Sequence, residues 1–243
     1  VAEMTHTKIN GVLPAGLAAA RAVIKDEQKE NGVVLVDIGH STTNIAVYEE
    51  GDLQHIAVIP LGGVNITNDL AVGLKVDLAI AEEVKLKHAV AGPKYRKSTE
   101  RSFSIKHDKE NFMFETEEID FIIEARLEEI FEMVTNELKT IGRHAKLPGG
   151  VILTGGTAQI SGLVEYAKEA LQLSAKIGHS ETFGGVAENI IQPQYATVLG
   201  LMLTDLEGSH SSHGGPRGGD ATRGSSINLS KITSPIMGLL KKF

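Results

Sequence analysis

Val34-Leu35-Val36-Asp37-Ile38-Gly39-His40-Ser41-Thr42-Thr43-Asn44-Ile45-Ala46-Val47 is the stretch that decides the fold class. Residues 33–36 are a continuous apolar run of strand length that ends in Asp37-Ile38-Gly39, the pattern of a fully buried strand leading into a turn. Residues 43–48 and 53–59 predict two more strands around Glu49-Glu50-Gly51-Asp52, a hairpin signal. The turn between the first two strands exposes backbone N–H groups and the hydroxyls of Thr42 and Thr43, an arrangement able to hold phosphate oxygens. A plain glycine-containing strand turn has the same sequence features.

Outward from this block, residues 14–30 have helical composition and Asn31-Gly32 supplies a stop. Gly62-Gly63 precedes a helix expected from about Thr67, with the Thr67 hydroxyl as its N-cap, and a second helix is expected from near Asp77. Residues 92–118 turn charged and polar, with short strand-like stretches at 102–105 and 112–114, and suggest an inserted small lobe. An amphipathic helix follows over about 118–141, where Ile119, Ile122, Ile123, Leu127, Ile130, Val134 and Leu138 keep near-helical spacing. After Pro148-Gly149-Gly150 come a buried strand at 151–153, the turn Thr154-Gly155-Gly156-Thr157 and a helix over about 162–171. The globular part is expected to end near Leu206, and no internal repeat is visible.

Composition narrows the function classes. At 243 residues and 42% hydrophobic, the chain can bury a sizeable core with room for a small second lobe. Its formal net charge of -7 argues against general nucleic-acid affinity, which needs a basic surface to replace phosphate counterions. The absence of cysteine excludes disulfides and thiol chemistry, and nine scattered histidines lack ligand spacing. No apolar run approaches the roughly 20 residues that span a bilayer. The chain opens on Val1, so a fragment is expected, its N-terminal portion lying elsewhere.

Three elements bear on chemistry. Besides the first turn, Thr154-Gly155-Gly156-Thr157 sits between a buried strand and a helix, where absent side chains let a ligand approach the backbone and a helix N-terminus favours an anion or a polar edge. A plain strand-to-helix turn fits equally. Between the two lies Glu82-x-x-Lys85, an acid and a base on one helical face, readable as a solvated ion pair or a ribose contact.

In order and spacing these elements resemble the second half of the actin, sugar kinase and heat-shock chaperone superfamily. Within it the chain is most similar to the FtsA family of bacterial cell-division proteins, over about residues 14–206. The opening stretch, Pro60-Leu61-Gly62-Gly63-Val64-Asn65-Ile66-Thr67-Asn68-Asp69, Ala81-Glu82-Glu83-Val84-Lys85 and Val151-Ile152-Leu153-Thr154-Gly155-Gly156 carry the likeness. The resemblance implies an actin-like α/β ATPase fold with a small inserted subdomain, binding ATP with weak or no turnover. It implies that Gly39, Ser41, Thr42 and Thr43 lie at the phosphates with Gly62 and Gly63 nearby. Glu82 and Lys85 would touch the ribose, Gly155 and Gly156 the adenine, and Asp37 would lie close to Mg2+ and its waters. Gly39-His40-Ser41 departs from the family's more glycine-rich phosphate loop. The first phosphate loop, and the N-terminal subdomain through which FtsA molecules polymerise, are absent from these residues. The implied divisions are the end of a first lobe and an interdomain helix at 1–31, a nucleotide subdomain at 32–90 and 145–206, and the insertion at 91–144.

The family resemblance further implies self-association in filaments at the division site, on the cytoplasmic face of the membrane, and capture of the acidic, apolar C-terminal peptide of FtsZ. Arg126 falls in the matching helix and could pair with that peptide's carboxylates, or simply with Glu129 on its own face. Residues 208–226 are rich in Gly and Ser and read as part of a flexible linker over 207–230. Beyond it, Ser234 can cap a helix with Pro235 at its first position. On that helix Ile236, Leu239, Leu240 and Phe243 share an apolar arc, which Ile232 joins if the helix starts a turn earlier, while Lys231, Lys241 and Lys242 lie outside it. A basic amphipathic end at 231–243 suits an anionic membrane surface, and also suits packing back on its own domain or a partner. A pilus-assembly actin-like ATPase or a sugar-kinase-type phosphotransferase would share the nucleotide motifs. The kinase's second half would continue a substrate cleft, and neither is expected to end in the tethered helix.

Overall fold

The computed structural model describes residues 11–108, 110–180 and 190–211, together with Met4 and Ile9. Helices α1 (Ala15–Val23) and α2 (Asp26–Asn31) open it. The single helix expected over 14–30 is broken because Ile24 and Lys25 are extended, with ψ of 126° and 152°, and Ile24 turns into the core. Gly32, at φ 85°, ends α2 and starts the strands β1 (Val33–Ile38), β2 (Thr43–Glu49) and β3 (Asp52–Ile59). Then come α3 (Gly63–Leu74), α4 (Leu78–His88), the hairpin β4 (Ser102–His107) and β5 (Glu110–Glu115), and the 25-residue α5 (Thr116–Thr140). The chain continues through β6 (Val151–Thr154), α6 (Leu163–Leu171), β7 (Ala175–Ile177) and α7 (Ala196–Ser211).

The main sheet has the order β3-β2-β1-β6-β7, with β1 antiparallel to β2 and parallel to β6. Its central position explains why β1 is apolar without alternation: successive side chains point to opposite faces, and both faces are covered. Val34, Val36 and Ile38 join Ile45, Val47 and Leu153 beneath α3, α4, α5 and α6. Val33 and Leu35 join Ala46 and Ile152 beneath α1 and α7. The result is a three-layer α/β architecture.

On the first of these faces α5 buries Ile119, Ile123, Leu127, Ile130, Val134 and Leu138, while Ile122 is half-buried against Gly73 of α3. The β4-β5 hairpin is fastened to this layer by stacking of Phe103 on His88, ring centroids 3.5 Å apart. On the segment leading into the hairpin, the Arg96 guanidinium grips both oxygens of the buried Asp120 of α5 and donates to the His88 carbonyl of α4 at 2.9 Å. A buried carboxylate is tolerated only with such pairing.

Two further expectations change. Thr67 is not an N-cap: α3 starts at Gly63, because its first amides find acceptors in the β1-β2 turn, so Thr67 lies in the helix's second turn. The second change is at the C-terminal side, where β7 and α7 were not foreseen. α7 runs on through Ser211, four residues into the stretch read as a tether; the rest of that stretch and the amphipathic end lie outside the described residues. Among the described residues no helix is long and apolar enough to cross a membrane.

α1 and α7 lie against each other through small side chains. Ala18, Ala19 and Ala20 are fully buried, and a Cβ placed on Gly200 would stand 1.6 Å from the Ala18 carbonyl oxygen. Gly200→Ala must therefore push the helices apart, and overpacking of this kind costs about 1–3 kcal/mol. We expect its melting temperature to fall by several degrees in a thermal scan, while Gly156→Ala, with open space around the new methyl, leaves it unchanged. Equal melting of the two variants would show that α1 and α7 are not this close.

Candidate functional site

The β1-β2 turn, the start of α3, the middle of α4 and the 3-10 turn Gly156–Gln159 converge on a cavity of about 430 Å³. Gly39, His40, Gly63, Glu82, Lys85 and Gly156 line it, so residues far apart in sequence meet at one place. The turn itself is closed by the Gly39 amide donating to the Thr42 carbonyl at 2.9 Å. Helix α3 then docks end-on: the Gly63 amide donates to the Gly39 carbonyl at 2.9 Å and the Val64 amide to the His40 carbonyl at 2.7 Å. The Asn65 side chain accepts from the Gly62 amide at 2.9 Å. The amides at this helix end, which would otherwise lack partners, are thus satisfied by protein.

Lys85 and Glu82 form the polar wall. The Lys85 ammonium lies 2.7 Å from the Glu82 carboxylate and donates to the Thr67 hydroxyl at 2.9 Å and the Gly63 carbonyl at 3.1 Å. Thr67 in turn donates its proton to Glu82 through a short hydrogen bond. Burial alone would raise the Glu82 carboxyl, but the hydrogen bonds from Lys85 and Thr67 outweigh it and hold the group below its usual range. The result is a fixed charge pair at the rim, with the lysine nine-tenths enclosed and the glutamate partly open.

The glycines divide by role. A Cβ on Gly62 would fall 2.7 Å from the His40 carbonyl oxygen, one on Gly63 2.6 Å from the Thr157 hydroxyl, and one on Gly155 2.3 Å from the Ile38 carbonyl oxygen. These three let protein segments approach one another. Only Gly156 of the two in the second turn faces open space, with nothing within 4 Å of a built Cβ; it leaves room for a flat group against the backbone.

Other expected site residues stand back from the cavity. Thr43 donates to the Leu61 carbonyl at 2.9 Å and is buried, while Ser41 is exposed and Thr42 half-buried at the turn. Asp37 lies at the end of β1 and is 6% exposed. It accepts from the Asn44 amide at 3.3 Å and the Thr197 hydroxyl at 3.4 Å, and burial pushes its carboxyl above the ordinary value against these bonds. Thr67 and Thr157 were not singled out from sequence as site residues, yet Thr67 carries the Glu82-Lys85 pair and the Thr157 hydroxyl donates to the Gly39 carbonyl at 3.2 Å. Position 157 within the Thr-Gly-Gly-Thr turn was the available signal; Thr67 offered none beyond its place in a helix. Arg126 lies apart from the cavity, on α5, where it forks onto both oxygens of Asp69 at 2.6 and 2.9 Å and also meets Glu129. The intrahelical pair is therefore formed, and the Asp69 pair adds to it.

Known proteins resemble this chain in sequence and in fold. Residues 34–200, from β1 into α7, match the family model described as Cell division protein FtsA. The chain is 32% identical over 240 residues to the cell division protein FtsA of Pseudomonas aeruginosa, covering 97% of this chain and 56% of that relative. It is 38% identical over 205 residues to that of Bacillus subtilis, covering 82% and 44%. The chain thus spans about half the length of the curated relatives it matches. Among solved structures, MreB5 of Spiroplasma citri bound to ADP aligns with a TM-score of 0.70 at 18% identity, over 88% of this chain and 65% of that one, and the fold is actin-like. With the β1-β2 turn, the Glu82-Lys85 pair and Gly156 all inside the matched span, this chain belongs to the FtsA family of cell-division proteins.

Proposed function

We propose that this chain is the second lobe of an actin-like protein that holds ATP with Mg2+ and ties FtsZ filaments to the cytoplasmic membrane at the division site. The observation that carries the nucleotide reading is the convergence of the β1-β2 turn, the Glu82-Lys85 pair and Gly156 on one cavity of about 430 Å³, within the range of small-molecule sites. The related fold of MreB5 was crystallised with ADP. The cavity fits a nucleotide chemically: open space over Gly156 takes a flat base, and Glu82 and Lys85 offer an acceptor and a donor to ribose hydroxyls. The Gly39-His40-Ser41 turn borders the phosphate end. No group of three metal-ligating side chains occurs among the described residues. Mg2+ would therefore rest on phosphate oxygens and water with Asp37 as the nearby carboxylate, the usual manner of this ion.

An actin-like nucleotide is clamped between two lobes, so the contacts on this lobe alone should bind ATP weakly and turn over none. Isothermal calorimetry on these 243 residues should give no micromolar binding. In the full-length protein Lys85→Ala should weaken ATP about tenfold, the loss of one charge-assisted contact, and Asp37→Asn should reduce the Mg2+ dependence of affinity. Unchanged affinity in both variants would move the nucleotide elsewhere.

The FtsZ reading rests on the shallow surface between α3 and α5, where Val72 is 79% exposed beside Ile122 and Arg126. An acidic, apolar peptide finds there apolar contact and one cation. Because Asp69 and Glu129 already meet Arg126, a peptide carboxylate gains only by sharing or displacing them. Arg126→Gln should then weaken an FtsZ tail peptide by a modest factor of about five in fluorescence anisotropy. Equal affinity removes Arg126 from the contact.

For the membrane, one apolar helix face at roughly 25 cal/mol per Å² yields a few kcal/mol, much of it offset by ordering a short segment. Lys241 and Lys242 add about 1 kcal/mol each near an anionic surface. A single tail therefore holds marginally, and many tails presented by a filament hold well. Leu240→Glu with Phe243→Glu should abolish sedimentation with anionic vesicles; retained sedimentation would refute the assignment.

A further inference from the structure

On the α6 side of α5 a groove of about 580 Å³ opens between these helices and the turn at Lys94-Tyr95. Its floor is Phe131 and Tyr166, rings 5.4 Å apart, and Phe121 stands at its wall 55% exposed. Along α5 the groove carries Glu124, Glu128 and Glu132, spaced i, i+4, i+8, an arrangement in which like charges repel along the helix. Lys94 is the only basic side chain on the lining, and it is already taken by an ion pair with Glu169 across the groove. The Tyr166 hydroxyl registers the field: burial, then Glu128 and Glu124, push it up to about 12. Aromatic surface and unneutralised negative charge thus lie side by side, which suits a basic, apolar segment and repels an acidic one.

The same chain contains such a segment. Residues 231–243 carry Lys231, Lys241 and Lys242 with Ile236, Leu239, Leu240 and Phe243. α7 ends at Ser211, and the 19 residues from 212 to 230 can span up to roughly 65 Å when extended. A domain of this size has a radius of gyration of only about 16 Å, so the segment reaches the groove. Tethering also gives it a high effective concentration there. We infer that residues 231–243, when no membrane is present, dock in the groove between α5 and α6, lysines against Glu128 and Glu132 and apolar side chains against Phe121 and Tyr166. The inference goes beyond the proposed function and shares with it only the basic, amphipathic character of the segment; lipid and groove compete for one ligand.

The chain has no cysteine, so a single introduced pair reports without background. Thr135→Cys on the groove with Gly238→Cys in the segment should form an intrachain disulfide under mild oxidation in lipid-free buffer. Leu53→Cys on the distant edge strand, paired with the same Gly238→Cys, should form far less. Glu128→Lys with Glu132→Lys, both exposed positions, should cut the yield at least about fivefold, and adding Lys241→Glu with Lys242→Glu should restore it. Phosphatidylglycerol vesicles should also suppress the cross-link. Equal yields from the two cysteine pairs, no response to charge reversal, cross-links only between chains, or a cross-link surviving saturating vesicle binding would each overturn the inference. Vesicle sedimentation reads the membrane assignment separately, and the cross-link formed in lipid-free buffer can stand or fail whatever its result.

Discussion

Two hydrogen bonds, from the Gly63 amide to the Gly39 carbonyl and from the Val64 amide to the His40 carbonyl, hold the end of α3 on the β1-β2 turn. Much else follows from this docking. It fixes where α3 starts, and with it Thr67, one turn in, which receives the Lys85 ammonium and bonds the Glu82 carboxylate. It also demands glycine at 62 and 63, because the helix end and the Thr157 hydroxyl approach the turn more closely than any Cβ allows. A single end-on contact therefore positions three of the four segments that enclose the cavity.

The docking also changes how the glycine-rich motifs should be understood. A helix N-terminus beside a glycine turn looks like an anion site because its amides lack partners. Here the Gly63 and Val64 amides are occupied by carbonyls of the turn. Gly62, Gly63 and Gly155 answer to packing between protein segments, and the open face belongs to Gly156. The polar groups presented at the cavity are therefore side chains, above all the enclosed Lys85, and not an empty nest of amides.

The strands were legible because β1 sits mid-sheet and its unbroken apolar run has no other explanation at that length. The long helix was legible because its buried apolar positions, from Ile119 to Leu138, keep a near-helical spacing over about five turns. What escaped has physical causes. β7 is three residues long, too short for periodicity. α7 is apolar on much of its surface and lacks a strong amphipathic signal. The break at Ile24 comes from tertiary burial of that side chain, a force local composition does not register. The spacing of Glu82 and Lys85 announced their pairing, whereas Thr67 at the cavity and Asp69 beside Arg126 act through partners 15 and 57 residues away. Such long-range partnerships have no local signature.

The interlocked α1 and α7 have a mechanical meaning. Any pull on the chain beyond Ser211 enters the protein along α7, whose Gly200 is seated on the Ala18 carbonyl and whose Thr197 touches Asp37. Load is thereby passed in shear to α1 and the rear of the sheet, a geometry in which many contacts must slip together. The cavity lies on the opposite layer, and the tension path meets its surroundings at Asp37, through Thr197, and at Thr154 and Gly155, which donate to the Pro193 carbonyl just before α7.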